Sequence, residues 1–401
     1  MIRAGATDGG TSTGDSTGHN FGASSGGRQL GLPDADLAGV VAEVAIGPGL
    51  RQTGDAGVGV LLGLVRTELP VRQALLAEWL GGLRAGAAGG GLFGGGLAGH
   101  AVGLAYAAEA EPRLAGLATR RRAALAGWAG ASPWRGDAVG WADYDLMTGP
   151  AGVLLALASL PAPAPAEIRP LAEHLAGLTG DLDRLRVRRH AGDGQAAQLG
   201  HLDHGLAHGL AGVVAAMTAA ARLFGPEPPG LRRAAHRLRA MSYVDSTGVA
   251  SWPPSSAGAD PSRPVHRQAW CYGAPGVAWA LWDAGQLLGD AELTGFAAAA
   301  MASLCAAWDD DRYLYGELGD RLGVCHGAAG VLAVADAFAR HAGHQPAGGL
   351  RTHLRGRIDP DRIAELGRTD LTMLNGAAGV LAVLTTVDGG RRDWLPVLGL
   401  R

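Results

Sequence analysis

From Gly96 to Gly379 a Gly-x-x-Gly turn followed at once by an apolar run recurs six times, and this pattern constrains the chain more than any other feature. The turns are Gly96-Leu97-Ala98-Gly99, Gly149-Pro150-Ala151-Gly152, Gly209-Leu210-Ala211-Gly212, Gly273-Ala274-Pro275-Gly276, Gly327-Ala328-Ala329-Gly330 and Gly376-Ala377-Ala378-Gly379. Their second glycines follow one another at intervals of 49 to 64 residues, one period with variable loops, which marks an array of like units. The run after each turn is apolar nearly all round, as over 153–160, 213–221 and 331–338, and predicts a helix buried on every side. The next run, as over 166–189 or 231–241, is amphipathic and charged and predicts a helix with one wet face. A buried inner helix paired with an amphipathic outer one points to an all-α closed ring, an α/α toroid. An open solenoid has a similar periodicity, but six units can close on themselves and bury both ends, so closure is the expectation.

With 401 residues, 47% of them hydrophobic and 18% charged, the chain can build one large repeat domain, expected over 31–401. Aromatic residues are only 5% while glycines number 66, so packing relies on Ala, Leu and Val with close backbone approaches. Residues 1–30 are rich in Gly, Ser and Thr, lack the apolar segment of a signal peptide, and read as a flexible tail. Three cysteines are too few for a disulfide framework and fit a reducing compartment. No apolar stretch is long enough to span a bilayer, so a cytoplasmic protein without an integral membrane segment is expected. A net charge of −3, from 34 basic and 37 acidic residues, leaves no basic field for nucleic acid. Every basic residue is Arg, which GC-rich bacterial codon usage explains without phosphate or carboxylate recognition.

If the turns share one end of the ring, the residues before them face a common mouth. Those positions carry Asp145, His208, Cys271, Cys325 with His326, and Asn375. Zinc prefers thiolate and imidazole in tetrahedral geometry, and a catalytic site keeps one position open. Cys271, Cys325 and His326, brought together from two repeats, fit that pattern. His204 and His208 stand four apart, as on one helix face, but two ligands seldom make a site, and His204 is read as solvent-facing or locally hydrogen-bonded. His201 and His266 are given no role. Cys305 lies in an apolar run and reads as a buried small hydrophobe. Asp309 to Asp311 read as a solvated acidic loop, Asn375 as a cap for the last inner helix, and 247–264 as a loop just before the metal motif.

Trp270-Cys271-Tyr272-Gly273-Ala274-Pro275-Gly276 and Cys325-His326-Gly327-Ala328-Ala329-Gly330 resemble the two signature motifs of the lanthionine synthetase C-like family. Ala207-His208-Gly209-Leu210-Ala211-Gly212 is similar to its histidine motif, and Tyr144-Asp145-Leu146 with Gly149 to its aspartate motif. Arg267 stands where the family carries an arginine, and the likeness runs in order from about residue 90 to 385. It implies seven inner and seven outer helices, the seventh inner one drawn from 57–67.

The resemblance also implies a zinc-dependent lanthipeptide cyclase with one Zn2+ per chain. Zinc on Cys271, Cys325 and His326 would bind a substrate cysteine as thiolate, which attacks the β-carbon of dehydroalanine or dehydrobutyrine. Arg267 would stabilise the resulting enolate. His208 would protonate the α-carbon. Asp145 would orient His208 or help accept the thiol proton, and Tyr272 would add a hydrogen bond. The implied partners are a dehydrated precursor peptide with its leader, a separate dehydratase and an export transporter, in the cytoplasm or within a membrane-associated biosynthetic complex. The alternatives are addition of glutathione or another free thiol to dehydroamino acids, and a non-catalytic peptide-binding toroid. Prenyltransferase-like and glycosidase-like rings are more distant, since they call for another metal set or a carboxylate pair.

Overall fold

The structure, a computed structural model, describes residues 39–43, 55–65, 67–84, 86–87, 89–189, 199–258, 260–265 and 267–401. The expected tail over 1–30 and His266 lie outside the described residues. In chain order the helices are α1 (Ala56–Leu64), α2 (Leu69–Arg84), α3 (Leu97–Ala110), α4 (Ala115–Ala131), α5 (Pro150–Ser159), α6 (Pro165–Thr179), α7 (Leu210–Phe224) and α8 (Leu231–Ala240). They continue with α9 (Ala274–Leu288), α10 (Ala291–Ala306), the short α11 (Asp310–Tyr313) and α12 (Leu318–Leu322), then α13 (Ala328–His341), α14 (Gln345–Arg357), α15 (Pro360–Gly367) and α16 (Ala377–Val387). A single two-stranded ribbon, β1 (Tyr243–Val244) with β2 (Ala250–Ser251), is the only sheet among the described residues.

Seven of these helices form a closed cycle of neighbours: α1, α3, α5, α7, α9, α13, α16 and back to α1. Each carries an outer helix on its flank, α2, α4, α6, α8, α10, α14 and α15 respectively. The chain is therefore an α/α toroid. The seventh inner helix comes from the N-terminal segment, as the family resemblance implied.

The division follows from side-chain pattern. In α5 every residue except Ala158 is buried, so it can only sit inside. Each leucine buried there contributes about 1.5–3 kcal/mol. In α8, Leu231, Ala234, Ala235 and Leu238 are buried while Arg232, Arg233, Arg237 and Arg239 fall on the other face. Such a helix covers an inner one and keeps water on its back. No described helix is long and apolar enough to cross a membrane.

The turns preceding the inner helices join end to end through backbone hydrogen bonds. Leu92 N–H donates to Met147 O (3.0 Å), Leu146 to Ala207 O (3.1 Å), Leu206 to Cys271 O (2.8 Å), Cys271 to Cys325 O (3.4 Å) and Val324 to Leu374 O (2.7 Å). At the closing joint Met373 N–H donates to the buried carboxylate of Asp55 (2.8 Å), which also caps α1 through Gly57 N–H. All the turns thus lie at one mouth. Below it, the helical turn Leu395–Leu398 packs on α5, and Leu398 O and Gly399 O accept from the indoles of Trp270 and Trp279. Phe93 meets Trp270 edge to face at 6.1 Å although their units are not neighbours in the ring, so side chains meet across the interior.

The second glycine of each turn is required by this closeness. A Cβ on Gly330 would overlap the Val324 carbonyl oxygen and press on Trp270 Cβ. Gly330→Ala is therefore expected to lose about 1–3 kcal/mol in denaturant unfolding. Gly349, exposed in α14 with open space around its Cα, is the contrasting case: Gly349→Ala should gain up to about 1 kcal/mol. Equal effects at the two sites would contradict the close-approach argument.

Candidate functional site

The turn before α9 presents Cys271 and Tyr272 to the mouth. Gly273 follows at φ +87°, a left-handed conformation that glycine adopts without strain, and Gln268 Oε1 accepts from Ala274 N–H (2.7 Å). The next turn presents Cys325 and His326. Cys271 and Cys325 are buried and His326 is partly exposed, and one donor atom from each lies within 4.8 Å of the others.

That donor set fits zinc. A tetrahedral ion with Zn–S near 2.3 Å and Zn–N near 2.0 Å would hold two sulfurs and a nitrogen about 3.5–3.8 Å apart, within the observed spread. His326 Nδ1 lies 3.0 Å from Asp320 Oδ1, which leaves Nε2 as the ligand atom and orients the ring. The hydrogen bond from Cys271, with His326 beside it, holds the Cys325 thiol below the ordinary thiol range, while burial pushes Cys271 well above it.

Next to the thiols stands a second constellation. Asp145, fully buried, accepts through Oδ1 from Thr148 N–H (2.8 Å), Gly149 N–H (2.7 Å) and the Thr148 hydroxyl (3.1 Å). Its Oδ2 lies 2.7 Å from His208 Nδ1, and Trp141 stacks on the imidazole at 4.2 Å and 19°. Burial pulls the His208 pKa down, but the Asp145 hydrogen bond and charge, helped by Asp203 and Cys325, outweigh it and leave it above the ordinary imidazole value. With Nδ1 tied to a carboxylate, Nε2 is the atom free to exchange a proton.

Arg267 lies over the Tyr315 ring at 4.0 Å, and its buried Nη1 has no hydrogen-bond partner among the described residues. Its charge reaches both Cys271 and His326. Tyr272 donates to Asp203 Oδ2 at 2.8 Å, and Asp203 Oδ1 takes Gly205 N–H at 2.8 Å. Burial pushes the Asp203 carboxyl up to about 6 against these hydrogen bonds.

All seven residues singled out from the sequence, Cys271, Cys325, His326, His208, Asp145, Arg267 and Tyr272, thus gather at the mouth. The lesser readings fare unevenly. Asn375 does not cap α16: Gly376 is the N-cap without any side-chain hydrogen bond, and Ala377 N–H goes to Asp370 O. His204 and His208 share a turn rather than a helix face, and His204 is buried rather than solvent-facing, with Nδ1 on Pro253 O. Asp310 pairs with His353 and Arg357 and takes the Trp308 indole N–H, so the acidic stretch is not simply solvated. Cys305 is buried in α10, as expected. The loop over 247–264 packs on the segment leading to His208, where Pro254 O accepts from His204 N–H and Ser256 Oγ from Leu202 N–H.

Four participants escaped the sequence reading: Asp203, Asp320, Trp141 and Tyr315. Asp203 carried a usable signal, since it stands six residues before Gly209 as Asp370 does before Gly376. The other three recur at no matching repeat position: Asp320 lies in the short α12, Trp141 opens a helical turn over Trp141–Asp143, and Tyr315 lies between α11 and α12.

Comparison with known families matches residues 83–353 to the family described as Lanthionine synthetase C-like protein. No curated protein matches the sequence. Among solved structures, one named Nisin cyclase superposes with a TM-score of 0.69 over 90% of this chain and 92% of that one, at 18% identity. An identity so low speaks for the fold alone, whereas the family match spans most of the chain. The motifs, the closed ring and the match over 83–353 lead to one conclusion: this chain belongs to the lanthionine synthetase C-like family.

Proposed function

We propose that the protein is a zinc-dependent lanthipeptide cyclase, joining cysteine thiols of a peptide to its own dehydroalanine or dehydrobutyrine residues. The observation that carries this reading is the convergence of Cys271, Cys325 and His326 within 4.8 Å, beside the His208–Asp145 pair and Arg267. Cys271, Cys325 and His326 would hold zinc, which would supply the Lewis acidity that lowers the pKa of a substrate thiol.

The remaining chemistry falls to the protein's own side chains. A sulfur–carbon bond forms at the β-carbon, the C=C π bond breaks, and negative charge moves onto the neighbouring carbonyl oxygen. Arg267, stacked over Tyr315 and with Nη1 unpaired among the described residues, offers a fixed cation to that oxygen. His208 delivers a proton from Nε2 to the α-carbon, and Asp145 keeps Nδ1 protonated and the ring in place. Tyr272 lines the same mouth. The net reaction moves one hydrogen from sulfur to carbon and leaves the peptide mass unchanged.

The substrate would be a precursor peptide carrying its leader, dehydrated by a separate enzyme in the cytoplasm and exported afterwards by a transporter. The test is incubation of zinc-loaded protein with a dehydrated precursor, followed by thiol alkylation and mass spectrometry. Loss of alkylatable thiols at unchanged mass is the expected result. Thiols that stay fully alkylatable, or an adduct that appears only with added glutathione, would sink the reading.

A further inference from the structure

Three reactive side chains stand immediately before a turn glycine, and each meets a carboxylate: His208 meets Asp145, His326 meets Asp320, and Tyr272 meets Asp203. The first two carboxylates face imidazoles, whose second nitrogen remains available. A phenol differs, because it has one proton and that proton can point only one way. Asp203 is fully buried, and both its oxygens are engaged, Oδ1 by Gly205 N–H and Oδ2 by the Tyr272 hydroxyl, each at 2.8 Å. An ionised carboxylate accepts and does not donate. The Tyr272 proton is therefore turned inward, and what the partly exposed phenol can offer the mouth is a lone pair.

We propose that Asp203 is a positioning residue that turns the Tyr272 hydroxyl inward, so that the phenol oxygen accepts a hydrogen bond from a backbone N–H of the substrate peptide. The proposal rests on the cyclase reading and specifies the hydrogen bond of Tyr272 within it. Tyr272 holds the peptide, before and during the reaction alike. A bond made equally in both states lowers KM and leaves kcat nearly unchanged.

Asp203→Asn separates this from a merely structural role. Gly205 N–H still needs an acceptor, so the single amide oxygen stays with it and the amide NH2 faces Tyr272. The hydrogen bond is then reversed at almost constant shape: the new amide donates, and the phenol proton turns toward the mouth. A substrate N–H would meet an O–H instead of a lone pair.

The experiment has two arms on the zinc-loaded protein. Ultraviolet resonance Raman spectra, each with the matching Tyr272→Phe variant subtracted, report whether the phenol donates or accepts. The expected change is from donor in the wild type to acceptor in Asp203→Asn. Steady-state kinetics on the dehydrated peptide should show KM raised about tenfold in Asp203→Asn and in Tyr272→Phe, kcat changed much less, and no further rise in the double variant. An unchanged phenol signature overturns the proposal whatever the activity, and so do additive effects in the double variant or a loss confined to kcat. A wild type without turnover sinks the cyclase reading alone, since the Raman comparison decides the direction of the hydroxyl without substrate.

Discussion

Cys325→Ala is expected to bring bound zinc from about one ion per chain to near none by elemental analysis, and Cys271→Ala to do the same. The ring itself should survive. The two turns that carry the candidate ligands are joined by backbone, since Cys271 N–H reaches Cys325 O at 3.4 Å, and the second is tied on to the turn before α16, where Val324 N–H reaches Leu374 O at 2.7 Å. Trp270 and Trp279 are anchored from below by Leu398 O and Gly399 O. Helix content should therefore stay close to wild type while cyclisation falls about a thousandfold or more, because a metal that activates a nucleophile supplies several kcal/mol of barrier lowering. This pattern, metal lost and fold kept, distinguishes a catalytic ion from a structural one. A folded wild type that holds no zinc under non-chelating conditions would remove the metal from the mechanism and favour a peptide-binding ring. Variants that unfold on losing zinc would make the ion structural.

The ring was legible in the sequence because its construction repeats. An inner helix apolar on all sides, preceded by two glycines that let neighbouring turns touch, has to be written the same way each time. The one weakly written unit is the first, and the reason is physical. Its Gly54-Asp55-Ala56-Gly57 keeps the spacing but shifts the cap from the first glycine to Asp55, and Asp55 accepts from Met373 N–H where the other turns use a backbone carbonyl, with Gly57 making the close approach to Met373. The candidate metal ligands were legible because thiols and an imidazole stand at matching repeat positions. The groups that support them were not. Asp320 reaches His326 from the short α12 and Trp141 reaches His208 from a helical turn of the neighbouring unit, and neither recurs at a matching repeat position. Asn375 misled for the opposite reason. It has the composition of a cap, but the N-terminus of α16 already finds its acceptor in Asp370 O, and the Asn375 side chain is left exposed.

His208→Asn should lower kcat about a hundred- to ten-thousandfold while zinc stays bound, the range expected for a lost proton donor. The pH dependence carries more information than the size of the loss. If His208 gives its proton to the α-carbon, the imidazolium is the active form, so kcat must fall as pH rises through the His208 pKa. That pKa is raised above the ordinary value because Asp145, with Asp203 and Cys325 behind it, outweighs burial. The same shift makes His208 a stabilising group whose contribution is full below the unfolded pKa of about 6.5 and is lost as pH rises through the folded one. Asp145→Asn tests the cause. Oδ1 already serves Thr148 N–H and Gly149 N–H, so the amide oxygen stays there and the NH2 group faces His208 Nδ1. The charge is gone and the ring is forced into the tautomer with Nδ1 bare. The alkaline fall in kcat should then move to lower pH, with a loss of about a hundredfold at neutrality. An alkaline limb that does not move would show that another group supplies the proton. A kcat that climbs through the same range would make His208 a base for the thiol, and Arg267 and the metal would be left to manage the enolate.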